Sequence, residues 1–228
     1  PARYASTRYP GKPLVALTGA TGQKQSLIER SWRAASAVSG VDRVVVATDD
    51  DRIREAAEGF GAEVVMTSEA CANGTERCAE AHAALGGGYD IVVNLQGDAP
   101  LTPHWFVEGL MQGLKDNPDA EIATPVLRCD GATLNSLLGD RKAGRVGGTT
   151  AVFGADNQAL YFSKEVVPYT GKPYTETDMT PVFHHVGVYA YRPDALARYP
   201  SWPVGPLEQL EGLDQLRFLE NGRPVLGA

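Results

Sequence analysis

Residues 43–67 read RVVVATDDDRIREAAEGFGAEVVMT, and this stretch decides the fold class. Arg43 to Thr48 is a short β-branched run, the composition of a buried strand. Asp49-Asp50-Asp51 then supplies a cap and first-turn acids for a helix. That helix carries Ile53, Ala56, Ala57 and Phe60 on one side. Gly61 is placed to stop it, and Glu63 to Thr67 is the next strand. Two short strands joined by a helix of this length form the unit from which parallel sheets are built.

Working outward, the rhythm continues. Thr75 to Leu85 predicts a helix, with Thr75 near its cap and the Gly86-Gly87-Gly88 run ending it. Asp90 to Leu95 is a third apolar strand. Thr102-Pro103 opens another helix as N-cap and first residue. Phe106, Leu110 and Leu114 recur at i, i+4 and i+8, a core-facing stripe. The expected fold is α/β, with a mostly parallel central sheet and helices on both faces.

Beyond this the character changes. Residues 128–158 are rich in Gly, Asp and Thr and show no long periodic stretch. Ala159 to Ser163 and His185 to Tyr191 read as strands. The segment between them, with Pro168, Gly171, Pro173 and Pro181, reads as loop. The expectation is a single domain over 1–228 with a smaller lobe over roughly 125–190. Pro206 starts a last helix, with Leu207, Leu210, Leu213 and Leu216 as its apolar side. Glu208, Glu211 and Gln215, at i, i+3 and i+7, would share its polar face.

Bulk properties remove several classes of function. The net charge of -7 argues against nucleic-acid binding, which needs a basic patch. No apolar run approaches the ~20 residues of a membrane span, and no secretory signal is visible. The three cysteines, Cys71, Cys78 and Cys129, are odd in number and form no CxxC pair. They read as plain thiols in a reducing cytoplasm.

Four clusters carry chemistry. Arg3 to Lys12 (RYASTRYPGK) places three cations, two hydroxyls and a Pro-Gly turn within ten residues. If an apolar strand precedes it, this loop lies at the carboxyl end of that strand, where open α/β sheets bind ligands. Cations and backbone N–H groups suit a triphosphate, and a solvated basic loop fits the composition equally well. Asn94-Leu95-Gln96-Gly97-Asp98 follows a strand directly. Asp98 could serve Mg2+, which takes few protein oxygens plus phosphates, or could cap the turn before Pro100. Gly97 would let a ligand approach the backbone. Asn73-Gly74-Thr75-Glu76-Arg77 is at the least a helix start. His184 and His185, adjacent on a strand, point to opposite faces and cannot chelate one metal together.

Taken in order, PARYASTRYPGKPL, VVVATDD, NGTER, VVNLQGD, ALYFSK, HHVGVYAYR and PLEQLEGLDQLRFLENG resemble the 3-deoxy-manno-octulosonate (KDO) cytidylyltransferase family over almost the whole chain. The resemblance implies a nucleotide-diphospho-sugar-transferase-like (Rossmann-like) α/β fold, dimeric through the lobe. It implies attack of an acceptor oxygen on the α-phosphate of CTP, with Mg2+ as cofactor and pyrophosphate leaving. By the match, Arg3 and Lys12 bind the triphosphate, with Ala5, Ser6 and Arg8 beside them. Asn73, Gly74, Arg77 and Gln96 lie near the nucleotide, Arg77 beside the cytosine, and Asp98 holds the metal. Gln96, Lys164, His185, Glu211 and Gln215 face a small anionic acceptor.

This chain departs from the family's usual pattern at Ala99, where the family has Glu, and at Lys164, where it has Arg. It also departs over Val146–Thr150, over Tyr169–Lys172, and at Asp214, where the family has Glu. The changes gather on the acceptor side. They leave room for a KDO-like ulosonic acid, a small phosphonate, or a nucleotide-binding relative without catalysis. An alcohol phosphate would be a further acceptor class. The resemblance also implies a strand after the segment 222–225, followed by a loop with a second acidic metal ligand.

Overall fold

A computed structural model describes residues 1–5 and 9–228; Ser6 and Arg8, both expected at the triphosphate, lie outside the described residues. The chain divides into two compact units, Pro1–Gln112 with Val188–Pro200, and Gly113–Gly187 with Ser201–Ala228. The expected lobe, 125–190, falls in the second unit up to Gly187.

In the first unit, β1 (Ala16–Thr18) and β2 (Lys24–Ser26) form a small antiparallel hairpin that leads into α1 (Leu27–Ser36). Then β3 (Val45–Thr48), α2 (Asp51–Gly59) and β4 (Glu63–Met66) form the expected unit, with β3 and β4 parallel and paired Val45 to Glu63. Asp50 caps α2, its side chain accepting from the Arg52 N–H, and Gly61 takes a positive φ just beyond the helix. α3 (Gly74–Ala84) starts one residue earlier than expected, because Asn73 rather than Thr75 caps it. β5 (Val92–Leu95) precedes α4 (His104–Asp116), whose last turn belongs to the second unit. α4 begins after Pro103, and Thr102 turns its hydroxyl back to the Ala99 carbonyl. β11 (Val188–Tyr191) runs antiparallel to β5, and α6 (Pro193–Arg198) follows it.

Alternation on the strands places helices on both faces. Val46 and Ala2 pack with Ile28 of α1 and with Ile53 and Ala57 of α2. Ala47 and Val65 point the other way, onto Ala81 of α3. The N-terminal residues fill a lane of their own. The Ala2 N–H donates to the Ala47 carbonyl at 2.8 Å, and the Gly97 N–H donates to the Pro1 carbonyl at 3.0 Å. Residues 1–2 thus lie between β3 and the end of β5. The loop that starts at Arg3 therefore leaves at the edge where β3 and β5 also end.

In the second unit, β6 (Ile122–Thr124) pairs in parallel with β12 (Val225–Gly227). β7 (Val126–Asp130), β10 (Met179–His185), β8 (Thr149–Phe153) and β9 (Ala159–Ser163) form an antiparallel sheet in that order. Parallel pairing is thus seen in each unit, between β3 and β4 in the first and between β6 and β12 in the second. The expected strand 185–191 is two strands, broken at Val186-Gly187.

Two expectations here are corrected. The stretch 128–158 contains a twelve-residue helix, α5 (Gly131–Lys142), capped by Asp130. Its Leu134 and Leu137 pack on Cys129 and Val182. The last helix is two, α7 (Pro206–Glu211) and α8 (Leu216–Glu220), because Gly212 adopts φ 60° and ends the first. Leu210 is consequently exposed, not part of an apolar stripe, whereas Leu216 is fully buried. Gln215 sits at the start of α8, so it shares no helix face with Glu208 and Glu211.

Candidate active site

The first unit gathers the loop expected to bind the triphosphate, the Asp98 turn and the α3 N-terminus at the carboxyl ends of its strands. The loop is built from both of its ends. The Gly11 N–H donates to the Tyr4 carbonyl at 2.9 Å, and a short 3-10 turn, Lys12–Leu14, follows. Arg3, Ala5 and Lys12 are all exposed. The Lys12 Nζ lies 2.7 Å from Asp98 Oδ2, the two side chains being 47% and 39% exposed. An ion pair this exposed contributes under about 1 kcal/mol. It can be exchanged for phosphate and a cation at little cost.

Asp98 offers one accessible carboxylate. Among the described residues no cluster of three or more His, Cys, Asp or Glu could hold a metal. That donor set does not suit zinc, which wants three or four protein ligands. It does suit Mg2+, which takes one or two carboxylates and completes its shell with substrate phosphates and water. Gly97 serves a purpose other than the one expected. A Cβ there would sit 2.7 Å from Ile28 Cδ1 and 3.1 Å from the Pro1 carbonyl. The glycine admits the N-terminal segment, not a ligand.

The other expected nucleotide residues fall into two kinds. Gly74 and Gln96 meet: a Cβ on Gly74 would lie 2.8 Å from Gln96 Nε2. Gln96 donates to Asn94 Oδ1 at 3.1 Å. Asn73 is committed to the fold, accepting from the Glu76 N–H and donating to the Tyr199 hydroxyl. Arg77 is buried, only 3% exposed, and its Nη2 bonds Asp49 Oδ2 at 2.6 Å while Nη1 bonds the Thr67 hydroxyl. In this structure it ties the ends of β3 and β4 to α3. Asn94, from the second cluster, reaches the Tyr191 hydroxyl at 3.5 Å. Residues that sequence reasoning missed support the same floor: Tyr191, whose hydroxyl lies 2.9 Å from Thr75 Oγ1, along with Asp49 and Tyr199. A polar residue one step past a strand, as Asp49 is past Thr48, was the available signal.

Of the expected acceptor residues, Gln96 lies in the first unit and Lys164, His185, Glu211 and Gln215 in the second. Glu211 accepts from the Tyr161 and Ser163 hydroxyls through Oε1, at 3.2 and 2.6 Å, and from the Lys164 N–H through Oε2 at 2.8 Å. Lys164 and Glu211 are thus brought together. A Cβ on Gly212 would lie 3.1 Å from Lys164 Nζ. Gln215 is buried.

His185 is buried too, its Nε2 2.9 Å from Thr124 Oγ1 and its ring edge-on to Phe162. The two histidines do point apart, and His185 is the one that faces the core. Burial lowers its pKa from 6.5 to about 3 and lowers that of His184 as well. The folded state therefore holds His185 neutral. Its contribution to stability is complete above pH 6.5 and is lost as pH falls from there toward 3. Denaturant titrations are expected to show about 2 kcal/mol lost between pH 7 and pH 5 per such histidine. A His185→Asn variant should flatten that slope, and a slope unchanged by it would refute the assignment.

Comparison with known proteins identifies the family. The family model described as cytidylyltransferase matches residues 1–225. The chain is 46% identical to the 3-deoxy-manno-octulosonate cytidylyltransferase of Maricaulis maris, covering 99% of this chain and 84% of that one. It is 41% identical to the Chlamydia pneumoniae protein of the same name, covering 99% and 82%. A solved CMP:2-keto-3-deoxy-manno-octonic acid synthetase in complex with CTP matches with a TM-score of 0.83 and 34% identity, covering all of this chain and 86% of that one.

Proposed function

The chain belongs to the 3-deoxy-manno-octulosonate cytidylyltransferase family and is a nucleotidyltransferase, and from that premise we propose that it transfers CMP from CTP to 3-deoxy-manno-octulosonate. The single observation that carries the proposal is the pairing of Lys12 with Asp98 at the strand ends. It is supported by the identity to named relatives across nearly the whole chain.

In this reading an acceptor hydroxyl oxygen bonds to the α-phosphorus of CTP. The bond from that phosphorus to the bridging oxygen breaks, pyrophosphate leaves, and the hydroxyl proton passes to solvent. Phosphoryl-type transfer needs alignment and charge neutralisation more than a protein nucleophile. Arg3 and Lys12 hold the triphosphate and offset the repulsion between it and the acidic acceptor. Asp98 is the residue that would hold Mg2+, which supplies Lewis-acid neutralisation of the phosphates when bound. Gln96, packed on Gly74, would mark the boundary between nucleotide and acceptor. The Lys164 ammonium would attract the acceptor's carboxylate. The reaction is proposed to run in the cytoplasm, and the active form is proposed to be a homodimer.

The test is pyrophosphate release with Mg2+ across an acceptor panel of KDO, other ulosonic acids, small phosphonates and sugar phosphates, each with CTP, UTP, ATP and GTP. Release is expected with CTP and KDO. Turnover confined to phosphonates or sugar phosphates would replace the acceptor. CTP binding without release from any acceptor would leave a nucleotide-binding module.

A further inference from the structure

The two cations assigned to the triphosphate, Arg3 and Lys12, each adjoin a residue of one closed neck: Arg3 precedes Tyr4, and Lys12 follows Gly11. The neck is closed by the 2.9 Å hydrogen bond from the Gly11 N–H to the Tyr4 carbonyl. It is also closed by packing. Gly11 has φ 70°, and a Cβ there would lie 2.9–3.1 Å from the Tyr4 ring. The far end of the neck, Leu14, and Tyr4 itself both pack on the cluster that contains Ile53 and Ala57 of α2.

Over Tyr4 lies Arg52, from the first turn of α2, its guanidinium carbon 3.3 Å from the ring centroid. Arg52 is not free to wander. Its Nε donates to Asp50 Oδ1 at 3.0 Å and its Nη2 to Asp50 Oδ2 at 2.6 Å. Asp50 is in turn fixed as the cap of α2. A bidentate fork of this kind sets the plane of the guanidinium. A flat cation over the ring face is then the favourable cation–π arrangement.

We propose that Arg52 is a positioning residue for the transfer reaction, acting through the Tyr4 ring to hold the Tyr4–Gly11 neck closed and so to fix the spacing of Arg3 and Lys12. Arg52 touches neither reactant. It belongs to α2, so the chain Asp50–Arg52–Tyr4–Gly11 fastens the triphosphate loop to the element that follows β3. The inference rests on the reading of Arg3 and Lys12 as triphosphate ligands. Its consequence is selective. A loosened neck weakens contacts to the β- and γ-phosphates, which CMP lacks, and leaves the floor made by Gly74 and Gln96 as it was.

Isothermal titration of the full chain with CTP and separately with CMP tests this, alongside thermal unfolding. Arg52→Ala is expected to weaken CTP binding about 3- to 10-fold, leave CMP binding within twofold, and raise the KM for CTP with kcat largely kept. Tyr4→Phe should behave as wild type because it retains the ring, whereas Tyr4→Leu should match Arg52→Ala. Arg52→Lys, which loses the planar fork, should rescue only in part. Equal loss for CTP and CMP, or a loss matched only by a lower unfolding temperature, would make Arg52 merely structural and overturn the inference. Lys12→Ala separates the two levels. If Lys12→Ala weakens CTP binding and Arg52→Ala does not, the neck has no role. If Lys12→Ala has no effect either, the triphosphate assignment itself fails.

Discussion

Asp98→Asn is expected to lower pyrophosphate release by on the order of a thousand-fold or more at ordinary Mg2+ concentrations. The substitution keeps the shape and removes the one charge that a hard cation needs. Its effect on CTP affinity should have the opposite sense. In the metal-free protein the Asp98 carboxylate opposes an incoming triphosphate and also engages the Lys12 ammonium at 2.7 Å. Removing that carboxylate frees Lys12 for phosphate. CTP affinity measured without divalent cation should therefore hold steady or tighten, even as turnover collapses. Turnover within tenfold of wild type would remove Asp98 from the metal role. A parallel loss of metal-free CTP binding would show that the variant had disturbed the turn itself, and the peptide around Gly97 would then be the place to look.

That divided outcome follows from how the turn is assembled, which the sequence discloses only in part. A strand ending in Gln96-Gly97-Asp98 announces a carboxylate at a strand end. The element order of the first unit was legible for the same reason: Asp50 and Gly61 bracket α2 with a cap and a stop, and Ile53 and Ala57 mark its buried side. What cannot be read from position 97 is that the space above it belongs to Pro1, Ala2 and Ile28. Those are contacts across some seventy to ninety-six residues of chain. Arg77 is a similar case. Its place in NGTER is evident, but the partner that buries it, Asp49, lies twenty-eight residues earlier. A guanidinium one turn into a helix reads the same whether it meets a ligand or a carboxylate.

Two misreadings had local causes. α5 is hard to read because Gly131, Thr133, Asn135 and Ser136 surround its short leucine pattern of Leu134, Leu137 and the exposed Leu138, and Gly131 is there to clear the Thr175 carbonyl. The Asp130 cap, accepting from the Thr133 N–H at 2.8 Å, was a usable signal. In the C-terminal stretch the leucine spacing overrode Gly212, which is the ordinary stop signal for a helix. Once the helix ends there, the polar face predicted from i, i+3 and i+7 dissolves. Glu208, Glu211 and Gln215 acquire separate environments.

Glu208 shows what such an environment demands. It is buried, and it grips the buried Arg217 through two parallel bonds, Nε to Oε2 at 2.7 Å and Nη2 to Oε1 at 2.8 Å. The pair joins α7 to α8. Glu220 joins them a second time by accepting from the Leu207 and Glu208 N–H groups at the start of α7. Gly205 is required for that cap, since a Cβ would lie 2.3 Å from the Glu220 carboxyl carbon. Arg217→Met should therefore cost about 3–5 kcal/mol, because it strands a carboxylate in a site closed to water. Removing both charges, as Glu208→Leu with Arg217→Met, should recover most of that loss, because two well-packed apolar side chains avoid the desolvation of both ions. Denaturant unfolding of the single and double variants reads the difference directly. A single-variant loss below about 1 kcal/mol would mean that water reaches the pair and screens it. An acceptor KM raised by Glu208→Leu in a double variant of native stability would give Glu208 a role toward the substrate. Unchanged KM with restored stability would make it a strut between two short helices, which is the outcome the geometry favours.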